Sequence, residues 1–163
     1  MAIGVMIADQ TGAVRSGGAR WMEMMLRRVL RELGVKQCAW TITVVGDAAM
    51  KALHRRTMGL GTTTDVLTFD MRDDPPRTRE GAAVELDTVL CADEARRRAA
   101  EHGHTPRREL LLYAVHSLLH VQGFDDVTPA KARRMHRRED ALLQAIGVGA
   151  VYAPPAKARE GKR

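Results

Sequence analysis

The chain has 163 residues, of which 45% are hydrophobic and only 4% aromatic, and its formal net charge is +6. This length fits one domain, and no run approaches the ~18 consecutive apolar residues that a membrane-spanning helix requires. Because the N-terminus lacks a charged start followed by an apolar stretch and a cleavage site, we expect a cytoplasmic protein without a signal peptide.

The periodicity of apolar residues predicts one domain over 1–150, built from four strands and five helices. In chain order the pattern predicts strand 3–8, helix 19–33, strand 38–45, helix 47–58, strand 65–71, strand 84–91, helix 93–102, helix 106–122 and helix 128–146. The Asp-, Pro- and Arg-rich residues 72–82 indicate an exposed loop, and Asp47 is predicted to cap the second helix.

Two cysteines and a basic C-terminal segment complete this outline. Cys38 and Cys91 lie in different apolar segments and are predicted to be buried free thiols, as in a reducing compartment. Residues 151–163 predict a disordered tail, and within it 157–163 carry four basic residues and one acidic residue, half of the net charge. This tail fits two interpretations equally, non-specific contact with a polyanion and a solvated segment that aids solubility.

The most informative pattern lies on the fourth predicted helix, where His116 and His120 are followed by Gly123, Asp125 and Asp126. Residues four apart share one face of a helix, so two imidazoles there can approach a single metal ion. A glycine can turn the chain back, which lets Asp126, or else Asp125, supply a third ligand. Three protein ligands with one open position are typical of a catalytic zinc.

The helix around these histidines is apolar over most of its circumference, which predicts burial. The two histidines fall on a narrow stripe with Glu109, Leu112 and Tyr113, so we expect this stripe to face a metal or a cleft, because uncompensated buried imidazoles are costly. Zinc peptidases carry a glutamate directly after the first histidine. Here that position is Ser117, which argues against peptide hydrolysis.

The stretch 116–126 resembles the signature of the YbeY family of metal-dependent bacterial endoribonucleases, His-Gly-x-Leu-His-Leu-x-Gly-Tyr-Asp-His. The matching residues are His116, Leu119, His120, Gly123, Asp125, and Phe124 in place of tyrosine. A second family block, Thr-Asp-Val-Leu-Ser-Phe, is matched by residues 64–69, and a third, Gly-Asp-x-x-Ile, in part by residues 86–90. Order, spacing and length agree from about residue 3 to 147.

The resemblance implies an α+β fold, with a mixed four-stranded sheet, about five helices and a central metal-binding helix. It also implies a zinc-dependent, single-strand-specific endoribonuclease that acts in rRNA maturation and ribosome quality control. One zinc per chain would be held by His116, His120 and Asp126. The implied partners are single-stranded RNA, above all rRNA, and the ribosome or its proteins, with neither a membrane nor DNA.

Three departures from the family pattern bear on the site. Asp126 replaces the third metal-binding histidine, and carboxylate oxygen is an acceptable zinc ligand. Ser117 replaces a glycine. Met58 stands where the family has an arginine thought to hold RNA phosphate, and Arg55 or Arg56, one turn earlier, is predicted to contact phosphate instead.

Further catalytic roles and two rival functions follow from the same residues. Asp65, or else Asp87, is expected to orient a ligand or accept a proton, and attack by water and attack by the RNA 2′-hydroxyl both stay open. Arginine runs such as 96–98 are expected to pair with neighbouring glutamates unless they converge on the metal cleft. The rivals are a metal-dependent hydrolase of another substrate and a non-catalytic ribosome-associated RNA-binding factor with a structural metal.

Overall fold

The computed structural model of the protein describes residues 2–73 and 78–152. These residues form β1 (Ile3–Asp9), α1 (Gly18–Glu32), β2 (Cys38–Val45), α2 (Asp47–Met58), β3 (Val66–Asp70), β4 (Val84–Cys91), α3 (Ala92–His102), α4 (Pro106–Val121) and α5 (Pro129–Ala145). Each predicted element is therefore present, with boundaries shifted by no more than one residue. None of these helices combines the length and apolar character that crossing a membrane demands.

The four strands form one mixed sheet in the order β1-β2-β4-β3. β1, β2 and β4 run parallel, and β3 pairs antiparallel with β4. Trp40 lies between Val5 and Leu86 in the register, so the large indole sits in the middle of the parallel part. The α+β class with a mixed four-stranded sheet and five helices, predicted from the sequence, is confirmed.

The two faces of the sheet differ because apolar and polar residues alternate along β2 and β4. On one face Trp40, Ile42 and Leu86 are buried against α1 and α4. On the other face Asp87 and its neighbours are exposed, while α2 covers one end of that face through Met50. The large core therefore lies on the side of the sheet that carries α4.

Helix α4 is the central helix, in contact with β3, β4, α1, α3 and α5. The hydroxyl of Thr105 caps its N-terminus by accepting from the backbone N–H of Arg108, and Pro106 occupies the first turn, where its missing N–H costs nothing. Between Glu109 and Leu119 every residue except His116 is buried. The predicted buried helix is confirmed.

The chain leaves α4 through a turn that only glycine fits. Gly123 has a φ of +99°, and a Cβ there would lie 2.8 Å from the carbonyl oxygen of Thr78. Beside it, the Gln122 amide accepts from the N–H of Gly81 at 2.7 Å and donates to the carbonyl of Ala82 at 3.1 Å. These two hydrogen bonds hold the segment after α4 against the loop before β4.

The prediction that Asp47 caps α2 is wrong. The cap position is Gly46, and Asp47 is the first helical residue. Its carboxylate instead accepts hydrogen bonds from Arg97, at 2.8 Å, and from Thr63, at 3.1 Å. The Arg97 guanidinium beside it holds the pKa of Asp47 well below its usual range. Charge pairing between α2 and α3 has therefore displaced the local capping role.

The two cysteines and the C-terminal segment have different outcomes. Cys38 and Cys91 are both buried and free, as predicted, and burial raises the pKa of Cys38 to about 11. Of the predicted tail, Val151 and Tyr152 pack against the fold, and both donate backbone N–H bonds to Asp140. The rest of that tail, 153–163, lies outside the described residues.

Candidate metal centre

His116, His120 and Asp126 converge at the C-terminal end of α4. The Nε2 atoms of the two histidines lie 3.0 Å apart, and carboxylate oxygens of Asp126 lie 3.5 Å from Nε2 of His116 and 3.8 Å from Nε2 of His120. In tetrahedral zinc sites with ligand bonds of about 2.0–2.1 Å, neighbouring ligand atoms lie about 3.3 Å apart. The three donors thus have the chemistry and the spacing that one divalent ion requires.

The turn at Gly123 selects Asp126 over Asp125 for this cluster. The N–H of Phe124 bonds the carbonyl of Leu119, so the chain doubles back over the end of α4. Asp125 points elsewhere: it pairs with Lys131 at 3.3 Å and accepts from the N–H of Val127. Of the two aspartates that the sequence left open, the structure brings only Asp126 to the histidines.

A buried carboxylate fixes the orientation of His116. The Glu139 side chain on α5 is fully buried, and its Oε1 lies 2.7 Å from Nδ1 of His116. Since a carboxylate accepts, Nδ1 carries the hydrogen, and in the neutral ring this leaves the Nε2 lone pair facing His120 and Asp126. Carboxylates that accept from the far nitrogen of a histidine are typical neighbours of metal sites.

The pKa values of the two imidazoles are shifted in opposite directions. Burial alone would lower the pKa of His116, but the hydrogen bond and the charge of Glu139 raise it above the ordinary value. For His120, burial and the adjacent His116 lower the pKa, which favours the neutral ring. A neutral imidazole is the form that binds a metal.

The cluster opens onto a cavity of about 310 Å³ between α3, α4 and α5. Four of the five residues of the stripe predicted on α4 line it, namely Glu109, Leu112, Tyr113 and His116, whereas His120 is not among the lining residues. The other lining residues come from elsewhere in the fold: Asp65, Arg98, His102, Asp126, His136 and Tyr152. The cavity is therefore dominated by ionisable and hydroxyl groups, which suits a polar or charged ligand.

The residues predicted to assist the metal ligands fall into two groups, those that line the cavity and those that do not. Asp65 lines the cavity. Arg55 and Arg56 do not: both are exposed on α2, and the Arg55 guanidinium lies against Gly61. Met58 is 63% exposed, and Asp87 lies on the opposite face of the sheet, so neither reaches the cavity.

Sequence reasoning missed several residues at this site, among them Arg98, Glu139 and Tyr152. Arg98 pairs with Glu94 and Glu101, as expected of its run, yet it also lines the cavity. Glu139 could have been noticed, because it falls on the apolar stripe of α5 defined by Met135 and Leu142, where a charge is unusual. Tyr152 carried no sequence signal, because its place depends on how the segment after α5 folds back so that the Tyr152 ring stacks on His136, with ring centroids 4.0 Å apart.

Ser117, the residue that replaces the peptidase glutamate, faces away from the cavity toward the sheet. Its hydroxyl lies 2.8 Å from that of Thr88 and 2.9 Å from that of Thr68. The indole N–H of Trp40 donates to Thr88 at 2.8 Å. Ser117 is fully buried, so it ties α4 to β3 and β4 and is not a proton acceptor of the metal site.

We expect Ser117→Ala to lower the free energy of unfolding by about 1–2 kcal/mol, because the buried hydroxyl of Thr88 and the partly buried hydroxyl of Thr68 would each lose a partner. Urea unfolding followed by circular dichroism measures this. Thr57→Ala is the matched control, since that exposed hydroxyl donates to the carbonyl of Leu53 within its own helix, and its change should stay within about 0.5 kcal/mol. Equal stability of both variants would refute a structural role for the Ser117 hydroxyl.

The fold and the site define a class: a small α+β domain with a His-His-Asp candidate metal centre at the edge of a polar cavity. Comparison with known proteins makes the assignment specific. The family model described as Endoribonuclease YbeY matches residues 7–147. The chain therefore belongs to the YbeY family, which confirms the resemblance and the predicted enzyme class, metal-dependent endoribonucleases.

Individual relatives agree with this assignment. Proteins named Endoribonuclease YbeY from Synechococcus sp. and from Frankia alni are 37% and 34% identical to this chain. The first alignment covers 78% of this chain and 85% of the relative, and the second 98% and 88%. A Thermotoga maritima protein solved in solution shares the fold, with a TM-score of 0.63 at 19% identity over 88% of this chain and 89% of the other.

Proposed function

We propose that this protein is a zinc-dependent endoribonuclease that cleaves single-stranded RNA, acting in rRNA maturation and ribosome quality control in the cytoplasm. The observation that carries the proposal is the convergence of His116, His120 and Asp126 at the edge of a polar cavity, in a chain of the YbeY family. The relatives' name supports RNA as the substrate. The ribosome and its proteins are the proposed partners.

These three residues would hold the zinc, since their donor atoms and spacing fit it. In such a site zinc supplies Lewis acidity toward a phosphoryl oxygen and can generate a nucleophile from water at neutral pH. Glu139 keeps the hydrogen of His116 on Nδ1, so that Nε2 stays available as a ligand atom.

The cavity walls would bind the RNA backbone. Arg98 lines this cavity. We assign to it the phosphate-binding role that was predicted from the sequence for Arg55 or Arg56. The Tyr113 hydroxyl is buried and has no hydrogen-bond partner within the described part of the chain. Because buried hydroxyls are rarely left unpaired, it is suited to donate to a phosphate or sugar oxygen.

Proton transfer would fall to Asp65. Its Oδ1 accepts from the N–H of Val66 at 2.8 Å, which fixes the carboxylate at the start of β3. It lines the same cavity as His116, so it is placed to hold or accept a proton from the attacking group, whether water or a 2′-hydroxyl.

The two rival functions fare differently. Hydrolysis of peptides loses support, because the position that carries a peptidase's glutamate is Ser117, buried in the hydroxyl cluster. A non-catalytic RNA-binding factor draws its support from Met58, which leaves α2 without the family arginine. Arg98 in the cavity weakens that argument.

Metal-loaded protein is expected to cleave a fluorescent single-stranded RNA and to leave the matched duplex and single-stranded DNA intact. Stripping the metal with a chelator should abolish cleavage, because the ion supplies several kcal/mol of transition-state stabilisation. Zinc re-added in slight excess should restore it. The measurement is product formation on denaturing gels.

Two outcomes would contradict the proposal. Undiminished cleavage by the chelated protein would show that no metal takes part. Full metal content and tight RNA binding without cleavage would favour the binding-factor function.

A further inference from the structure

A second cluster of nitrogen and oxygen donors lies at the other end of α4. His102 ends α3, Gly103 with a φ of +69° turns the chain, and His104 precedes the start of α4. Nδ1 of His102 lies 3.2 Å from Oε2 of Glu109, and Nε2 of His104 contacts the same oxygen. One ligand atom from each residue lies within 4.8 Å of the other two.

We propose that His102, His104 and Glu109 form a second site for a divalent metal ion, distinct from the one at His116. Two imidazoles and one carboxylate suit zinc and the neighbouring first-row ions. The site goes beyond the single zinc that the family resemblance implies, and it does not depend on the RNA activity proposed above.

The charge on Glu109 favours an ion over a set of hydrogen bonds alone. The Glu109 side chain is only 2% exposed and that of His104 only 6%. Between residues 2–73 and 78–152, the ion pairs of Glu109 are with these two histidines and with no lysine or arginine. A buried carboxylate is costly unless a positive charge compensates it, and a divalent ion supplies that charge while both rings stay neutral.

The path to this site is open. His102 and Glu109 line the same cavity as His116 and Asp126. An ion at Glu109 would therefore be reached from solvent and would keep a coordination position facing the cavity.

The spacing makes the two sites independent. Glu109 and His116 are seven residues apart on one helix, which corresponds to about 10 Å along its axis. Paired ions that act together on one phosphate lie about 3.5–4 Å apart. The second ion would thus belong to a separate mononuclear site and would not be a partner in the chemistry at His116.

The test counts metal ions on the full chain. Protein stripped by a chelator is equilibrated by dialysis against buffered Zn²⁺, and bound zinc is measured by mass spectrometry. We expect two zinc ions per chain in the unaltered protein and one in His102→Ala. His136→Ala is the matched control, because it removes an imidazole from the same cavity outside the cluster, and it should keep two.

Further variants separate this inference from the proposed function. His116→Ala should keep one ion, and the double variant with His102→Ala should keep none. If His102→Ala does not fold by circular dichroism, Glu109→Gln, which keeps the side chain's shape, takes its place. An unaltered protein with one zinc that His116→Ala loses overturns the second site and leaves the proposed function intact. Equal zinc in the unaltered protein and His102→Ala also overturns it.

Discussion

His116→Ala is expected to lower the rate of single-stranded RNA cleavage at least about a thousand-fold. The substitution removes the proposed ligand whose Nε2 lies 3.0 Å from Nε2 of His120 and 3.5 Å from a carboxylate oxygen of Asp126, and so would remove the stabilisation that a bound ion supplies. That stabilisation amounts to several kcal/mol, and each 1.36 kcal/mol is a factor of ten in rate. Initial rates with metal-saturated protein measure the loss.

The control for this variant is His54→Ala. His54 lies on α2, where its Nδ1 is 2.8 Å from the carbonyl of Thr62, outside the cavity. It should cleave RNA at the unaltered rate. If His116→Ala binds RNA with unchanged affinity but does not cleave it, the substitution has affected the chemical step and not substrate binding. Cleavage within ten-fold of the unaltered rate would show that His116 is not a ligand of the catalytic metal.

The part of the site that lies on one stretch of chain could be predicted from the sequence. One helix and one turn bring His116, His120 and Asp126 together. The helix can be predicted from the local periodicity of apolar residues, and the turn from a glycine. The strands could be predicted for the same reason, since alternation along β2 and β4 matches the two faces of the sheet. Even the burial of α4 followed from the apolar residues that cover most of its circumference.

Contacts between distant segments could not be read in the same way. Arg98 looked like a solvated member of a charged run, because nothing local shows that α3 lies beside the metal cavity. Arg55 and Arg56 were predicted to contact phosphate, but both lie on the exposed surface of α2, where the Arg55 guanidinium lies against Gly61. Asp47 is a residue type that often caps helices, yet its carboxylate accepts a hydrogen bond from Arg97, fifty residues away in the sequence.

The second histidine cluster shows the same limit. His102 and His104 stand on either side of a glycine and carried no sequence signal, whereas Glu109 was predicted only to share the stripe of His116 and His120 that faces a metal or a cleft. Only the packing of α3 against α4 reveals that the carboxylate is buried and that both rings point at it. The sequence alone therefore does not show that the Glu109 carboxylate needs a compensating positive charge.

Glu139→Gln is expected to weaken zinc binding at the proposed His116 site by about 10–100-fold, the usual cost of substituting a residue that is hydrogen-bonded to a metal ligand. Glutamine keeps the volume of the fully buried side chain and can still accept from Nδ1 of His116. What it removes is the negative charge that raises the pKa of His116 and strengthens the ring as a donor. Competition with a chromophoric chelator, with the His102 cluster removed by His102→Ala in the background, measures the affinity of this site alone.

The matched control is Glu80→Gln, because Glu80 also pairs with α5, through Arg138 at 2.5 Å, but lies outside the cavity. It should leave zinc affinity unchanged. If Glu139 acts by orienting His116, saturating zinc should return most of the cleavage activity of Glu139→Gln, since the three ligands themselves are intact. Activity that stays low at full zinc occupancy would mean instead that Glu139 takes part in the reaction, and unchanged zinc affinity would mean that its hydrogen bond to His116 serves only to satisfy a buried charge.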